Sequence, residues 1–191
     1  MQIEEQYLEQ AVRLHQSCPV VDAHLDLAGE LLLHVNNGER DVLRRHYLEE
    51  LREGGFNLVV SSVYLENQYL PEMGLRMAMD QIGVLLEEVD RNEEFLLVKT
   101  ARDLDRTLEE ERIGILLYLE GMDFMGTDFL LLRTLWEMGV RGASLTWSRR
   151  NALASGCCVA SRRVPVPGGL TDEGVEAVHR MEEMGMFLDV S

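Results

Sequence analysis

Residues 19–26 read PVVDAHLD, a short apolar run that ends in a His-x-Asp pair. Its length and its valines predict a buried β-strand. Because residues two apart on a strand point to the same face, the imidazole of His24 and the carboxylate of Asp26 are expected side by side. An imidazole and a carboxylate make half of a metal site, although a hydrogen-bonded pair is the simpler interpretation of these two residues alone.

Predicted strands and helices alternate through the rest of the sequence. Short β-branched or continuously apolar runs predict strands at residues 56–64, 95–98, 113–121, 140–147 and 186–191. Apolar residues at helical spacing predict helices near residues 3–14 and at 43–51, 75–89, 100–108, 128–138 and 171–184. Residues 148–170, with Pro165 and Pro167, form a polar loop of a length typical of functional or flexible loops.

This alternation is typical of a parallel sheet covered by helices on both faces. In such α/β folds, functional residues gather at the carboxyl ends of the strands, where the loops converge. His24, Asp26 and Glu120 all fall at such ends. A buried strand has no structural need for a terminal glutamate, which has to be paired, solvated or bound to a cation. The three side chains together therefore favour a metal site as much as they favour simple hydrogen bonding.

The charge of the chain argues against a nucleic-acid partner. Lys and Arg number 18 against 34 Asp and Glu, which gives a formal net charge of −16, and no basic run exceeds two residues. Binding to nucleic acid relies on clustered cations, so the acidic balance is best explained by solubility. No apolar stretch is long enough to cross a bilayer, and the first five residues, MQIEE, lack the features of a secretion signal.

The cysteines indicate a reducing, cytoplasmic environment. Cys18, Cys157 and Cys158 are odd in number and include one adjacent pair, so a disulfide framework is not expected. The adjacent pair lacks the spacer of a zinc ribbon, which favours ordinary loop thiols. With 46% hydrophobic residues, the 191 residues are predicted to form a single domain, 1–191.

Five motifs in order give this sequence a family resemblance. Residues 22–27 (DAHLDL) resemble the Asp-x-His-x-Asp-Leu opening of the membrane (renal) dipeptidases, the M19 metallopeptidases, and residues 119–121 (LEG) resemble their Glu-Gly motif. Residues 139–146 (GVRGASLT) resemble the Gly-x-Arg-x-x-x-Leu-Thr strand of that family. Residues 169–174 (GLTDEG) and 184–191 (MGMFLDVS) resemble its Gly-Leu-Thr-x-x-Gly helix and Asp-x-Ser strand. The resemblance covers nearly the whole chain from Val20 onward.

The resemblance implies a TIM-type (β/α)₈ barrel of the metal-dependent hydrolase kind with two metal ions, usually zinc. Such enzymes hydrolyse dipeptides, often with tolerance for a D-residue at the C-terminal position. By motif match, His24 and Asp26 bind one ion and Glu120 bridges both. The chemistry agrees, because two neighbouring cations lower the pKa of a bridging water and polarise the scissile carbonyl.

Trp147 is the first departure from the family pattern. The family commonly has a substrate-facing histidine after Leu-Thr, whereas Trp147 follows Leu145-Thr146 here. Trp147 either stacks on a substrate or fills the pocket. Asn151 matches an asparagine that often follows this strand, and it is assigned with Trp147 to substrate binding, with a structural role left open.

The second departure concerns residues that the resemblance places after Asp-x-Ser. These are two histidine ligands, a substrate-binding arginine and an acid/base aspartate, whereas this sequence ends at Ser191. A closed barrel needs about 250 residues, so about five of eight strands are expected here, in a chain that is weakly active or inactive. His34 is the one reserve ligand, since His15, His46 and His179 are expected on the solvated surface.

Three functional hypotheses remain open from the sequence. The first is the N-terminal part of a dipeptide-hydrolysing metallopeptidase. The second is another amidohydrolase-type metal hydrolase on the same barrel, because Trp147 breaks the dipeptidase pattern and fold likeness does not fix the substrate. The third is a non-catalytic metal-binding module that forms a homodimer across an exposed sheet edge.

Overall fold

A parallel β-sheet organises the computed structural model, which describes residues 5–157 and 168–191. Its strands are β1 (Val20–Leu25), β2 (Phe56–Tyr64), β3 (Phe95–Leu97), β4 (Ile113–Glu120), β5 (Val140–Ser144) and β6 (Phe187–Leu188). Five of them follow the order β1-β2-β4-β5-β6, and β3 pairs with the first residues of β4. Every strand pair is parallel, so all carboxyl ends meet at one edge of the sheet.

One helix precedes β1, and further helices connect each strand to the next. They are α1 (Glu5–Ser17), α2 (Leu27–Asn36), α3 (Leu48–Glu53), α4 (Gly74–Arg91), α5 (Ala101–Glu109), α6 (Phe129–Met138) and α7 (Asp172–Glu183). A π-helical turn, Leu43–Tyr47, leads into α3, and a 3₁₀ turn, Asn67–Tyr69, precedes α4. Within the described ranges no helix is both long enough and apolar enough to cross a membrane.

The two faces of β4 have different roles. Ile115, Leu117 and Leu119 are fully buried in the core beneath the helices. Burial of each such side chain contributes about 1.5–3 kcal/mol, so this face stabilises the sheet. Tyr118 and Glu120 alternate with them and therefore lie on the opposite, inner face of the sheet. The inner face, rather than the core face, presents polar groups at the strand ends.

The predicted α/β barrel architecture is confirmed as a parallel half-barrel of five strands. One detail of the prediction is wrong, because the run at residues 19–26 is not buried. It forms β1, which among the described residues pairs only with β2 and so lies at an edge of the sheet, and Val21 is 47% exposed. An apolar strand at an edge has one uncovered side, which its composition alone does not reveal.

The polar loop predicted at residues 148–170 is described only in part. An isolated antiparallel bridge joins Ala154 to Leu170, and Cys157 is an exposed free thiol. Cys158, Pro165 and Pro167 lie outside the described residues.

The start of α5 has a complete capping box. Thr100 Oγ1 accepts a hydrogen bond from the backbone N–H of Asp103 at 3.2 Å, and Thr100 N donates to Asp103 Oδ2 at 3.0 Å. We expect Thr100→Ala to lower the free energy of unfolding by about 1 kcal/mol, because a backbone donor loses its partner. Urea denaturation measures the change.

Thr134→Ala is the matched control for this prediction. Thr134 is exposed on α6, and its hydroxyl donates to the carbonyl of Leu130 one turn earlier, a bond that adds little to helix stability. A loss at Thr134 equal to that at Thr100 would contradict the capping explanation.

Candidate metal centre

Side chains from two non-adjacent strands converge at the carboxyl edge of the half-barrel. His24 is near the end of β1, Asp26 follows it directly, and Glu120 ends β4. His24 Nε2 lies 3.6 Å from Asp26 Oδ1 and 3.4 Å from Glu120 Oε2. Two ligand atoms that are each about 2.1 Å from a tetrahedral zinc ion are separated by roughly 3.4 Å. His24 therefore stands at the spacing from each carboxylate that a shared metal ion requires, and one ligand atom from each of the three residues lies within 4.8 Å of the other two.

Asp26 is turned toward this cluster and away from the helix it precedes. It occupies the N-cap position of α2, where an aspartate usually accepts a backbone N–H, yet its side chain makes no capping hydrogen bond. Its carboxylate instead accepts a hydrogen bond from the hydroxyl of Ser62 on β2. Ser62 thus fixes the carboxylate orientation, as partners behind metal ligands commonly do.

Glu120 is the most enclosed of the three groups, with a side chain that is 15% exposed. Burial raises the pKa of its carboxyl group, the nearby carboxylates of Asp26 and Asp189 raise it further, and His24 opposes them. Several carboxylates around one imidazole favour a cation between them. The donor set of imidazole and carboxylates fits a divalent ion such as zinc.

Tyr118 and Asp189 form a wall beside the candidate metal centre, which we define as His24, Asp26 and Glu120. The Tyr118 ring meets His24 edge-on at 5.8 Å and stacks on Phe187 at 5.9 Å. Its hydroxyl donates to Asp189, whose carboxylate also accepts the N–H of Ser191 at 2.8 Å. Burial raises the pKa of Tyr118, and the bond to Asp189 raises it further, so the phenol stays protonated. Sequence reasoning missed Tyr118, although its position two residues before Glu120 places it on the same face.

Opposing effects set the ionisation of Asp189. Partial burial raises the pKa of its carboxyl group, but the hydrogen bonds from Ser191 and Tyr118 outweigh burial, and the net pKa is lowered. Asp189 is therefore a carboxylate at neutral pH and adds to the negative potential around His24.

A cavity of about 340 Å³ opens beside Asp26, between α2 and α4. Ser62 and Tyr64 from β2 line it, together with the carboxylates of Glu30 and Glu66. An acidic pocket next to a metal centre suits a small molecule that carries a positive group.

The two predicted substrate-binding residues have different surroundings. Trp147 follows β5, is 43% exposed, and meets the ring of Tyr64 edge-on at 5.0 Å. Asn151 uses its side chain within its own loop, donating to the carbonyl of Leu145 at 2.7 Å and accepting from Leu153 N at 2.9 Å. Trp147 is thus available to a ligand, whereas Asn151 orders the loop after β5.

The remaining histidines lie away from the centre. His34, the predicted reserve ligand, bonds to Glu39. His46 also bonds to Glu39 and is exposed, as predicted. His15 and His179 are exposed on α1 and α7, as predicted.

Comparison with known proteins connects this geometry to a family. Residues 8–191 match the family model described as membrane dipeptidase, peptidase family M19. The chain belongs to the M19 dipeptidases. The predicted resemblance to this family is confirmed.

Among curated M19-like relatives, the chain is similar to Dipeptidase 3 of Mus musculus, with 29% identity over 96% of this chain and 38% of the relative. It is also similar to Dipeptidase verJ of Clonostachys rogersoniana, with 26% identity over 96% of this chain and 51% of the relative. The chain thus spans two-fifths to one-half of the length of these relatives.

Solved structures support the same fold. A metallopeptidase from Rhodobacter sphaeroides, bound to a phosphinate mimic of the dipeptide L-Ala-D-Ala, aligns with a TM-score of 0.78 and 22% identity over 91% of this chain and 58% of that chain. The probable dipeptidase PvdM from Pseudomonas aeruginosa aligns with a TM-score of 0.79 and 16% identity over 99% and 50% of the two chains.

Proposed function

We propose that this M19 chain contributes the first half of a metal-dependent dipeptidase active site, in which His24, Asp26 and Glu120 hold the metal. One observation carries the proposal. Three ligand groups from strands separated by β2 meet at the carboxyl edge of the half-barrel, with the imidazole 3.4 and 3.6 Å from the two carboxylates. Packing does not explain three such groups at one strand edge, whereas metal binding does.

Each residue has a distinct task in this mechanism. His24 and Asp26 form one side of the centre, and Ser62 keeps the Asp26 carboxylate in place. Glu120 faces both and would hold the metal from the β4 side of the centre. Zinc held here would supply a water of near-neutral pKa and would polarise the peptide carbonyl. Asp189, which accepts a hydrogen bond from Tyr118, places a negative charge near Glu120, and this charge favours cation binding.

A dipeptide is the substrate class that we propose. The cavity beside Asp26 adjoins the candidate metal centre, and the carboxylates of Glu30 and Glu66 in its wall would attract the free amino group. The R. sphaeroides relative binds a mimic of L-Ala-D-Ala, which supports dipeptides with a C-terminal D-residue as the first compounds to assay.

Trp147 favours a second candidate, hydrolysis of non-peptide amides by the same centre. A half-exposed indole stands where the family resemblance has a substrate-facing histidine. An indole offers apolar stacking area and one N–H donor in place of an imidazole, so selectivity for lactams or cyclic amides is the expected consequence if this candidate is correct.

The test is a hydrolysis assay of the 191-residue chain with added Zn²⁺, against dipeptides, lactams and cyclic amides. Because the chain spans only two-fifths to one-half of the length of its relatives, we expect slow turnover. The turnover should favour dipeptides, require zinc, and stop in Glu120→Gln and with a chelator. Preference for lactams would support the second candidate. Zinc-dependent hydrolysis that persists unchanged in Glu120→Gln would refute both, because both place the metal on Glu120.

A further inference from the structure

A second set of metal-binding side chains lies away from the candidate metal centre. His34 is in the last turn of α2, Glu39 follows that helix, and His46 lies in the π-helical turn before α3. We call these three residues the His-Glu-His cluster. Eight residues of helix, or about 12 Å of axial rise, separate Asp26 at one end of α2 from His34 at the other.

The three side chains converge on one point. His34 Nδ1 lies 2.6 Å from Glu39 Oε1, and His46 Nε2 lies 2.9 Å from Glu39 Oε2. The two imidazole rings are 4.6 Å apart at 30° to each other. One donor atom from each residue lies within 4.8 Å of the other two. Two imidazoles and a carboxylate are a preferred ligand set for zinc and for other imidazole-binding divalent metals.

Ordered backbone holds the cluster together from both sides. The N–H of Glu39 donates to the carbonyl of His34 at 3.1 Å, which ties the loop after α2 to the helix end. On the other side, the N–H of buried Leu43 donates to the buried carboxylate of Glu88 on α4 at 3.0 Å, which anchors the π-helical turn. The ligand groups therefore need only side-chain rotations to enclose an ion.

The cluster is accessible to a metal ion. Its side chains are between 28% and 36% exposed, which leaves room for an ion to enter and for water to complete its coordination. Arg45 also approaches Glu39, with Nη1 3.7 Å from Oε2, but its side chain is 56% exposed and free to move away.

Hydrogen bonding alone is the competing explanation, since each imidazole can donate one N–H to Glu39. Metal binding and hydrogen bonding use the same two nitrogens and differ only in whether each carries a proton or a metal. A net charge of −16 favours a cation in place of those protons. Metal titration separates the two explanations directly.

We propose that His34, Glu39 and His46 bind one zinc-class divalent ion, and that this ion fixes the end of α2 to the π-helical turn. The site is separate from the candidate metal centre and does not depend on the dipeptidase function. With three protein ligands and water in the fourth position, it holds the metal at the surface.

The test uses the 191-residue chain with Asp26→Asn and Glu120→Gln, which removes ligands of the candidate metal centre. We expect this variant to retain one equivalent of Zn²⁺ by calorimetry and elemental analysis, and Co²⁺ to give a visible d–d band. Adding His34→Ala or His46→Ala should weaken Zn²⁺ binding on the order of 100-fold, because one of three protein ligands is lost.

His179→Ala is the matched control, because His179 is an exposed histidine on α7 and makes contact with Glu182 instead of the cluster. It should leave the stoichiometry unchanged, and circular dichroism should show every variant folded. The proposal is overturned if the Asp26→Asn, Glu120→Gln chain binds no Zn²⁺, or if bound Zn²⁺ is insensitive to both cluster variants. Because that chain lacks centre ligands, neither outcome bears on the proposed function.

Discussion

Glu120→Gln abolishes metal binding at the candidate metal centre while the chain stays folded; this is the largest functional effect we expect. The amide keeps the shape of the side chain but cannot bind a cation as a carboxylate does. In a His46→Ala background, which silences the His-Glu-His cluster, zinc at about 100 times its Kd should stabilise the chain by about 2.7 kcal/mol. The same zinc concentration should not change the stability of the chain that also carries Glu120→Gln. Thermal unfolding with and without zinc measures both values.

Without zinc, the order of stability should reverse, and Glu120→Gln should be at least as stable as its parent. Burial raises the pKa of Glu120, so the folded state binds this proton more tightly than the unfolded state does. The metal-free parent therefore loses stability as the pH rises through the carboxyl pKa of Glu120, and the amide variant does not. At neutral pH without zinc, Glu120→Gln should unfold at the same or a higher temperature than its parent.

Glu66→Gln is the control for charge at the same edge of the sheet. Glu66 lines the cavity beside Asp26, but it is not one of the three centre ligands. The Glu66→Gln variant should still bind zinc and should still be stabilised by it. If Glu120→Gln retained full zinc affinity while Glu66→Gln lost it, the assignment of the centre would be wrong.

Gly174→Ala should cause the largest loss of stability. Gly174 lies in the first turn of α7, and a Cβ placed there would be 2.0 Å from the carbonyl oxygen of Leu153. That oxygen already accepts hydrogen bonds from the N–H of Thr171 at 2.9 Å and from its hydroxyl at 3.0 Å, so it cannot move without breaking both. We expect a loss of about 3 kcal/mol, at the upper end for overpacking. Each kcal/mol lowers Tm by about 2–4 °C in a chain of this size.

Gly83→Ala tests whether the position or the residue type causes this loss. Gly83 is exposed in α4, and a Cβ there meets nothing within 4 Å. Alanine has the higher helix propensity, so this variant should gain about 0.5–1 kcal/mol. A similar loss at both glycines would show that the contact with Leu153 is not the cause.

Sequence periodicity predicted well the strands and helices that have a clear hydrophobic pattern, and poorly those that lack one. The long strand β2 (Phe56–Tyr64) was predicted with its observed ends, because a β-branched run between turn signals has few alternatives. The helix α2 (Leu27–Asn36) was missed because apolar residues lie on both its buried and its exposed sides, and Leu33 is 55% exposed. Such a segment shows no clear helical period.

The predicted helix at residues 43–51 illustrates a second kind of difference. It consists of the π-helical turn and α3, and the N–H of Leu43 at the start of the turn donates to the buried carboxylate of Glu88 on a different helix. A contact between residues 45 positions apart leaves no local pattern. The π-helical turn places the exposed imidazole of His46 against Glu39. The predicted surface position of His46 is therefore confirmed, and only its contact with Glu39 was missed.

The sequence by itself determined the class of fold and the family, and it predicted three metal ligands, because strand ends and motif residues are properties of local order along the chain. Tertiary structure decided which groups share a site. Only the pairing of β1 with β2, and of β2 with β4, brings Glu120 within 3.4 Å of His24 and places Ser62 behind Asp26. Likewise, only packing brings His34, Glu39 and His46 together. Distances between segments far apart in sequence depend on sheet register and helix packing, which no single segment encodes.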